Sequence, residues 1–441
     1  MYKGIKYRIY PNREQQAKLN QFFGCTRFIY NKCLEWYIDA YEQYKKNNVD
    51  IGNVPLLTYF KKEFTFLKQC DNAALAYARS NFERALRDFF KSKKGKRKGK
   101  RLGFPQFKAK NKSKCTYRTC DAHGAIRFDE NNTHIRLPKI GFIKCKKHRD
   151  FDGIIKAVTV ERKSSGKYYI SVMVEVDNQP QLQLNKIRNK DCLNVVGLDM
   201  SMSSFVISSH EEDNTITKYT RNYRKEERNL RRLQRRFSRK QLLETDEKVY
   251  SKRYKKEVTK KISSNNREKA RKRLARLHEK ISNRRKDYIE KLSLYYALHY
   301  DVVILEDINL QDMSRSLRLG KSVMDLGFGM FRRRLSEKGV KYDCSVLYVD
   351  KWYPSSKTCS ACGNKNSHLM LSDREWVCPV CGVLHDRDFN AACNLEQSFS
   401  KVLYTAGTAG INACGDNTTT LRAYVEQVLS LNQEAPSFRW V

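Results

Sequence analysis

The sequence predicts an α+β fold of several domains in a chain of 441 residues. Three features carry that expectation. A strand-like start is separated by helical sequence from a second set of strand-like runs, the pattern of a small β-barrel interrupted by helices. Further along, three short apolar runs read as strands buried on both faces, and two of them contain or end in an acid. Near the C-terminus, Cys359-Ser-Ala-Cys362 and Cys378-Pro-Val-Cys381 are fifteen residues apart, a spacing suited to one tetrahedral Zn²⁺.

Residues 2–10 alternate, with Ile5, Tyr7 and Ile9 on one face and Lys3, Lys6 and Arg8 on the other, as in a half-buried strand. Pro11-Asn12 ends it and can cap a helix. Helical periodicity runs from Arg13 to about Asn47 through Leu19, Phe22, Phe23, Phe28, Ile29, Leu34, Tyr37 and Tyr41. It resumes over about Asn72–Phe90. The basic run from Lys91 to Arg101 reads as a solvated loop that contacts phosphate. Strands return over 103–177, punctuated by Gly103-Phe-Pro-Gln-Phe107 and Leu137-Pro-Lys-Ile-Gly141. Two alternating runs, from Ile154 to Arg162 and from Tyr168 to Val176, flank Lys163-Ser-Ser-Gly-Lys167 as a hairpin. A domain boundary falls between Asn178 and Asn194.

Val195-Val-Gly-Leu-Asp-Met-Ser201 opens with a buried strand, and Phe205-Val-Ile-Ser208 continues it or pairs with it. Residues 221–290 hold 27 basic and 10 acidic residues, with Leu230, Leu233, Phe237, Leu274, Leu277, Ile281 and Ile289 at helical spacing. Two long basic helices are expected to meet near Ser263-Ser-Asn-Asn266, which offers an N-cap. A solvated hairpin accounts for the periodicity; the charge imbalance favours one that faces nucleic acid. Asp301-Val-Val-Ile-Leu-Glu306 and Val346-Leu-Tyr-Val349 are further buried strands. Helical sequence covers 390–399, and the Ser/Thr/Gly/Asn-rich sequence from Ser400 reads as a flexible tail.

The chain carries 87 Lys and Arg against 48 Asp and Glu, a net charge of +39. So large an excess opposes compaction unless a polyanion neutralises it, and nucleic acid rewards such charge through counterion release. No apolar run approaches the roughly eighteen residues of a membrane span. The first residues alternate apolar and basic rather than forming a signal peptide. The fourteen cysteines are therefore expected in a reducing cytoplasm rather than in disulfides.

The quartet Cys359, Cys362, Cys378 and Cys381 leaves no open position on a zinc ion, so the zinc would be structural. Each pair is followed by a glycine, Gly363 or Gly382, which lets the chain turn so that backbone amides face the sulfurs. Three acids have similar settings. Asp199 follows Val195-Val-Gly-Leu, Glu306 follows Val302-Val-Ile-Leu, and Asp388 precedes an Asn-Ala-Ala stretch that can start a helix. A carboxylate at the end of a buried strand needs solvent or a cation. Three converging would bind one or two Mg²⁺, the arrangement that cleaves phosphodiesters.

With these motifs in place, the sequence resembles the OrfB/TnpB proteins of insertion-sequence transposons, compact relatives of type V CRISPR nucleases. The resemblance rests on Pro11, Gly24-Cys-Thr-Arg-Phe-Ile-Tyr-Asn31, Gly103-Phe-Pro-Gln-Phe-Lys108, Leu137-Pro-Lys139, Asn265-Asn-Arg-Glu-Lys-Ala-Arg-Lys-Arg-Leu-Ala-Arg-Leu-His278 and Leu305-Glu-Asp-Ile-Asn-Leu310. Its most specific part runs from Tyr353-Pro-Ser-Ser-Lys-Thr-Cys-Ser-Ala-Cys-Gly363 to Asp386-Arg-Asp-Phe-Asn-Ala-Ala392, and the ending Ala435-Pro-Ser-Phe438 also matches.

The resemblance implies a wedge-type β-barrel from 1–12 and 103–190 with a helical recognition insert at 13–102. An RNase H-like RuvC nuclease domain would follow, split into 191–354 and 384–410 by a zinc ribbon at 355–383, with a flexible tail at 411–441. It implies an RNA-guided, Mg²⁺-dependent DNA endonuclease with Asp199, Glu306 and Asp388 as its acids. Asp388 is preferred to Asp386 because the family's acid directly precedes the x-Asn-Ala-Ala step. The implied partners are a guide RNA from the transposon end and double-stranded target DNA beside a short motif. A monomer in the cytoplasm of a bacterium or archaeon, near the nucleoid, is expected. Two departures stand out. Asp199-Met-Ser201 replaces the frequent Asp-Leu-Gly, and Phe328 or Phe331 stands where many members have Trp.

Three other readings compete. A single-strand transposase needs a His-x-His metal pair, and the eight histidines form none. A nuclease-inactive RNA-guided binder, or an accessory transposition protein, would keep the basic surfaces and cut nothing. A zinc-ribbon RNA-binding protein would leave the three acids without a role.

Overall fold

The structure, a computed structural model, describes residues 2–176, 194–216, 222–251, 256–310, 320–405 and 438–439, apart from 98, 111–112, 122–123, 203, 351 and 371. It divides into two units, Met1–Gln179 and Pro180–Val441. The boundary expected between 178 and 194 lies outside the described residues up to 193. Among the described residues no helix is long and apolar enough to cross a membrane.

The first unit is built on one antiparallel sheet. Its strands are β1 (Tyr2–Tyr10), β2 (Cys115–Cys120), β3 (Arg127–Phe128), β4 (His134–Leu137), β5 (Gly141–Lys146), β6 (Ile154–Arg162) and β7 (Tyr168–Glu175), in the order β2-β6-β7-β1-β5-β4-β3. β1 buries Ile5, Tyr7 and Ile9, as its alternation requires, and pairs with both β5 and β7. The end strands β2 and β3 do not pair with each other among the described residues, so the expected barrel is an open sheet here. β3 is two residues long and pairs through β4 alone, too short to close the ladder.

Three helices, α1 (Arg13–Asn47), α2 (Leu57–Glu63) and α3 (Asn72–Lys93), lie between β1 and β2 in sequence. Asn12 starts α1 with a capping box: its side chain accepts from the Gln15 N–H at 2.8 Å, and the Gln15 side chain accepts from the Asn12 N–H at 3.0 Å. The buried stripe of α1 includes Leu19, Phe22, Phe23, Ile29 and Leu34, and Phe22 meets Tyr117 of β2 edge-on at 5.5 Å. Asp71 caps α3 and also accepts from the buried Thr119 hydroxyl of β2 at 2.5 Å. One core thus joins helices and sheet.

The second unit has a central sheet of β8 (Val195–Asp199), β9 (Ile207–Ser208), β12 (Val302–Glu306), β13 (Ser345–Val349) and β16 (Phe438–Arg439), ordered β16-β13-β12-β8-β9. Between β9 and β12 come α4 (Glu211–Ile216), α5 (Asn222–Ser238), β10 (Leu242–Ser251), β11 (Lys256–Ser263) and α6 (Asn265–His299). The helices α7 (Gly320–Leu326) and α8 (Phe328–Tyr342) precede β13. The hairpin β14 (Glu375–Val377) and β15 (Leu384–Asp386) leads into α9 (Arg387–Thr405).

β8, β12 and β13 are parallel, and their side chains alternate between two cores. Val196, Leu198, Val303, Leu305, Val346 and Tyr348 pack on one face with Ile289, Leu292 and Tyr296 of α6 and Phe328 and Phe331 of α8. Val302, Ile304, Leu347 and Val349 pack on the other with Leu395 and Phe399 of α9. Helices on both faces explain the unbroken apolar runs.

Two expectations need correction. α5 and α6 do pack together through Leu230, Leu277 and Ile281, and Ser264 caps α6 by accepting from the Arg267 N–H at 3.2 Å. However, the chain does not pass straight from one helix into the other. The antiparallel hairpin β10–β11 lies between them, pairing Leu242 with Ser263, because Val249, Tyr250, Val258 and Thr259 favour extended backbone. The C-terminal sequence is also not a tail from Ser400 onward. α9 continues to Thr405, and Phe438–Arg439 pairs antiparallel with Tyr348–Val349 at the open edge of β13. The rest of the expected 411–441 tail lies outside the described residues.

Candidate functional site

Strand parity and register bring two acids together before any helix is considered. Leu198 pairs with Leu305 in the parallel ladder, so Asp199 and Glu306 follow at neighbouring strand ends. Asp199 shares a face with Gly197, and Glu306 shares one with Val302 and Ile304. That is the face covered by α9.

The third acid arrives through close packing. α9 lies so near β8 that a Cβ on Gly197 would come within 2.0 Å of the Ala392 carbonyl oxygen and 2.6 Å of the Glu396 nitrogen. Only glycine permits this approach. Ala392 is fully buried there, and Asp388 sits one turn earlier, in the first turn of α9. Asp386 instead caps this helix, its side chain accepting from the Phe389 N–H at 2.8 Å.

The electrostatics reflect the gathering. Burial pushes the Asp199 carboxyl up to about 8, and the Asp388 and Glu306 carboxylates add to the rise. Arg387 and the Met200 N–H pull it down, without compensating. Burial pushes Glu306 up to about 7. A positive charge beside these carboxylates would offset both the burial and the repulsion; among the described residues the side chains already gathered closely enough to hold a metal are the four cysteines, not the three acids.

Two residues touching Asp388 were not foreseen. The Ser201 hydroxyl donates to Asp388 Oδ2 at 2.8 Å, and Arg374 Nη1 donates to the same oxygen at 3.1 Å. Ser201 was visible only as a departure from Asp-Leu-Gly, and its partner is 187 positions away. Arg374 sits between the cysteine pairs, where the sequence carries no signal for it. Beyond Glu306, Arg332 holds Asp307 at 2.7 Å and the Ile308 carbonyl at 3.0 Å, which fixes the chain leaving β12.

The four predicted cysteines come together. The sulfurs of Cys359, Cys362, Cys378 and Cys381 all lie within 4.8 Å of one another. Gly363 and Gly382 have φ of 77° and 71°, and each donates its N–H to the first cysteine carbonyl of its pair at 2.9 Å. Backbone N–H groups of Cys381 and Val380 hold the Cys378 thiol down to about 6. Closed, sulfur-only coordination is the donor set of a zinc site. His385, whose Nε2 lies 3.0 Å from Cys359 Sγ, and Trp376 wall in the cluster. Asn390 of α9 ties this ribbon to the acids: its side chain accepts from the Ser360 N–H at 2.9 Å and donates to the Thr358 carbonyl at 2.7 Å.

The chain is similar to several known proteins. A family description reading "Helix-turn-helix domain", for OrfB proteins of the IS605 type, matches residues 1–46, although the structure has one strand and one helix there. The OrfB description "Probable transposase" matches 170–317, and "Cas12f1-like, TNB domain" matches 328–395. A Streptomyces pristinaespiralis protein, named as a candidate RNA-guided DNA endonuclease, is 30% identical over 419 residues, covering 94% of this chain and 91% of its own length. InsQ of Escherichia coli K12, a candidate of the same kind, is 27% identical over 435 residues, covering 94% of each chain. The protein of a Cas12f1–sgRNA–target DNA complex aligns with 90% of this chain and 98% of its own, at 14% identity and a TM-score of 0.46. The match along nearly the whole length of a 30% identical relative is decisive. This chain belongs to the OrfB/TnpB family of insertion-sequence proteins.

Proposed function

We propose that this protein is an RNA-guided DNA endonuclease that hydrolyses phosphodiesters at Asp199, Glu306 and Asp388. The observation that carries the reading is the approach of three carboxylates from separate parts of the chain, close enough to oppose the ionisation of Asp199. The family relationship supports the guided character, since the Streptomyces and Escherichia coli relatives bear that name.

In this reading Asp199, Glu306 and Asp388 would hold Mg²⁺, which would supply positive charge against the charge that develops on the attacked phosphate. Ser201 and Arg374 orient Asp388 by donating to its Oδ2. The Arg332–Asp307 pair fixes the backbone just after Glu306. The cysteine quartet would hold a structural zinc, which would fix the ribbon at the head of α9. The exposed Arg231, Arg232, Arg235 and Arg236 of α5 and Arg239 just after it, with the run 91–101, grip the RNA phosphates. Base pairing with that RNA selects the DNA.

The test is cleavage of a matched plasmid by the purified protein–RNA complex in Mg²⁺. Glu306→Ala or Asp388→Ala should abolish cutting and leave RNA binding intact, since neither residue adds positive charge to the phosphate grip. A Glu306→Ala complex that cuts at the parental rate removes Glu306 from the site. A parent that binds its target and never cuts makes the protein a binder instead. RNA affinity should fall on the order of 10³–10⁵ between about 50 and 200 mM salt.

A further inference from the structure

Between the basic run and β2, residues 102–108 form a strap tied down at both ends. The Leu102 N–H donates to the Ser92 hydroxyl oxygen at 2.9 Å. At the other end Asn31 of α1 brackets Lys108, accepting from its N–H at 2.8 Å and donating to its carbonyl at 3.1 Å. The Lys108 ammonium sits 3.4 Å from the centre of the Tyr30 ring. Pro105 restricts the backbone between these ties. The strap is therefore a built feature.

It nevertheless presents rings to solvent. Phe107 is 50% exposed and Phe104 is 40% exposed. Phe104 is held by Phe89 at 5.4 Å and by Tyr37 at 6.2 Å, so its position is fixed although its outer face is open. Immediately before the strap, 91–101 contains eight Lys or Arg and no acid. That charge disfavours a basic or neutral protein partner and draws a polyanion. A polyanion that also covers exposed flat rings is a nucleic acid with unpaired bases, because in a duplex the base faces are already stacked.

We infer that Phe107, with Phe104 on the same strap, is a stacking platform for unpaired bases of single-stranded RNA whose phosphates lie on the 91–101 run. The inference rests on the reading of the protein as RNA-guided and names one surface that holds the RNA. Stacking and phosphate contact leave different signatures. Loss of a stacked base weakens binding at every salt concentration, whereas loss of a phosphate contact reduces the slope of log K against log salt.

The test uses the full chain and a homopolymeric uridine oligonucleotide, with duplex DNA of the same length as the comparison. Phe107→Ala should weaken RNA binding by about 5- to 100-fold with an unchanged salt slope. Replacing both Lys96 and Arg97 by Ala should lower the slope. Phe107→Trp should restore affinity, and its added fluorescence, read as a difference from the parent, should be quenched by the RNA. Parental affinity in Phe107→Ala, or a loss that comes with a reduced slope, overturns the inference. Quenching by duplex DNA alone makes the surface a DNA contact and also overturns it. A protein that binds RNA through Phe107 but never cuts retains the platform and loses the nuclease reading. One that cuts, yet is indifferent to Phe107→Ala, does the reverse.

Discussion

Replacing Gly197 by Ala tests how the acids are brought together. The new Cβ would lie 2.0 Å from the Ala392 carbonyl oxygen, whereas ordinary contact begins at 3.4 Å, so strand and helix must separate by 3.4 − 2.0 = 1.4 Å. Both obstructing atoms are backbone, so no side-chain rotation relieves the clash, and Ala392→Gly cannot rescue it. Overpacking of this kind costs about 1–3 kcal/mol. The functional cost should be larger in proportion. α9 carries Asp388, an acid of the proposed site, and a misplacement of about 1 Å lowers rates on the order of 10²-fold. Gly4→Ala in β1 is the control: nothing lies within 4 Å of its Cβ, and stability should hold or rise by up to about 1 kcal/mol. Urea unfolding and single-turnover cleavage measure the two effects. If Gly197→Ala unfolds at the parental midpoint and cuts at the parental rate, α9 does not rest on β8 as described.

Three further outcomes follow from the same contacts. In chelator, Asp199→Asn should stabilise the protein by up to roughly a few kcal/mol, with the gain growing from pH 4 to pH 8. The unfolded carboxyl ionises near 3.8 but the folded one only near 8, so the parent loses stability across that window; an equal gain in urea unfolding at both ends would contradict the burial of Asp199. Replacing Cys359 and Cys378 by Ser should remove about one zinc per chain, read by metal analysis, and shift Trp376 emission to the red, because that ring is packed on these cysteines. A zinc-free parent with unshifted emission would rule out the metal site. Ser201→Ala should slow cleavage by about 10-fold without changing RNA affinity, since it removes one donor to Asp388; an unchanged single-turnover rate would mean that Ser201 does not position the acid.

Elements that obey a single local rule were readable in the sequence. β1 follows from strict alternation, α1 from its periodicity and the Asn12 cap, and β6–β7 from two alternating runs around a turn. The hairpin β10–β11 was obscured because residues 221–290 are dominated by Lys and Arg. Charge masked the β-branched residues Val249, Val258 and Thr259, a residue type that favours extended backbone. β16 could not be read locally. Two residues form a strand only because β13 leaves an edge for them.

The site divides along the same line. Each acid was visible from its own neighbours, as a carboxylate closing an apolar strand or preceding Asn-Ala-Ala. Their meeting depends on relations that no local window contains. The ladder of β8 with β12 sets Asp199 beside Glu306, and parity turns both toward α9. The third acid is fixed by complementary small residues: Gly197 on the strand admits the backbone at Ala392, while Asn390 binds the loop of the first cysteine pair. Asn-Ala-Ala is therefore a joint in which Asn faces the ribbon and the second Ala faces the sheet. A larger residue at Ala392 should disturb Asp388 while leaving its chemical identity untouched, so loss of cleavage there would report geometry rather than missing carboxylate.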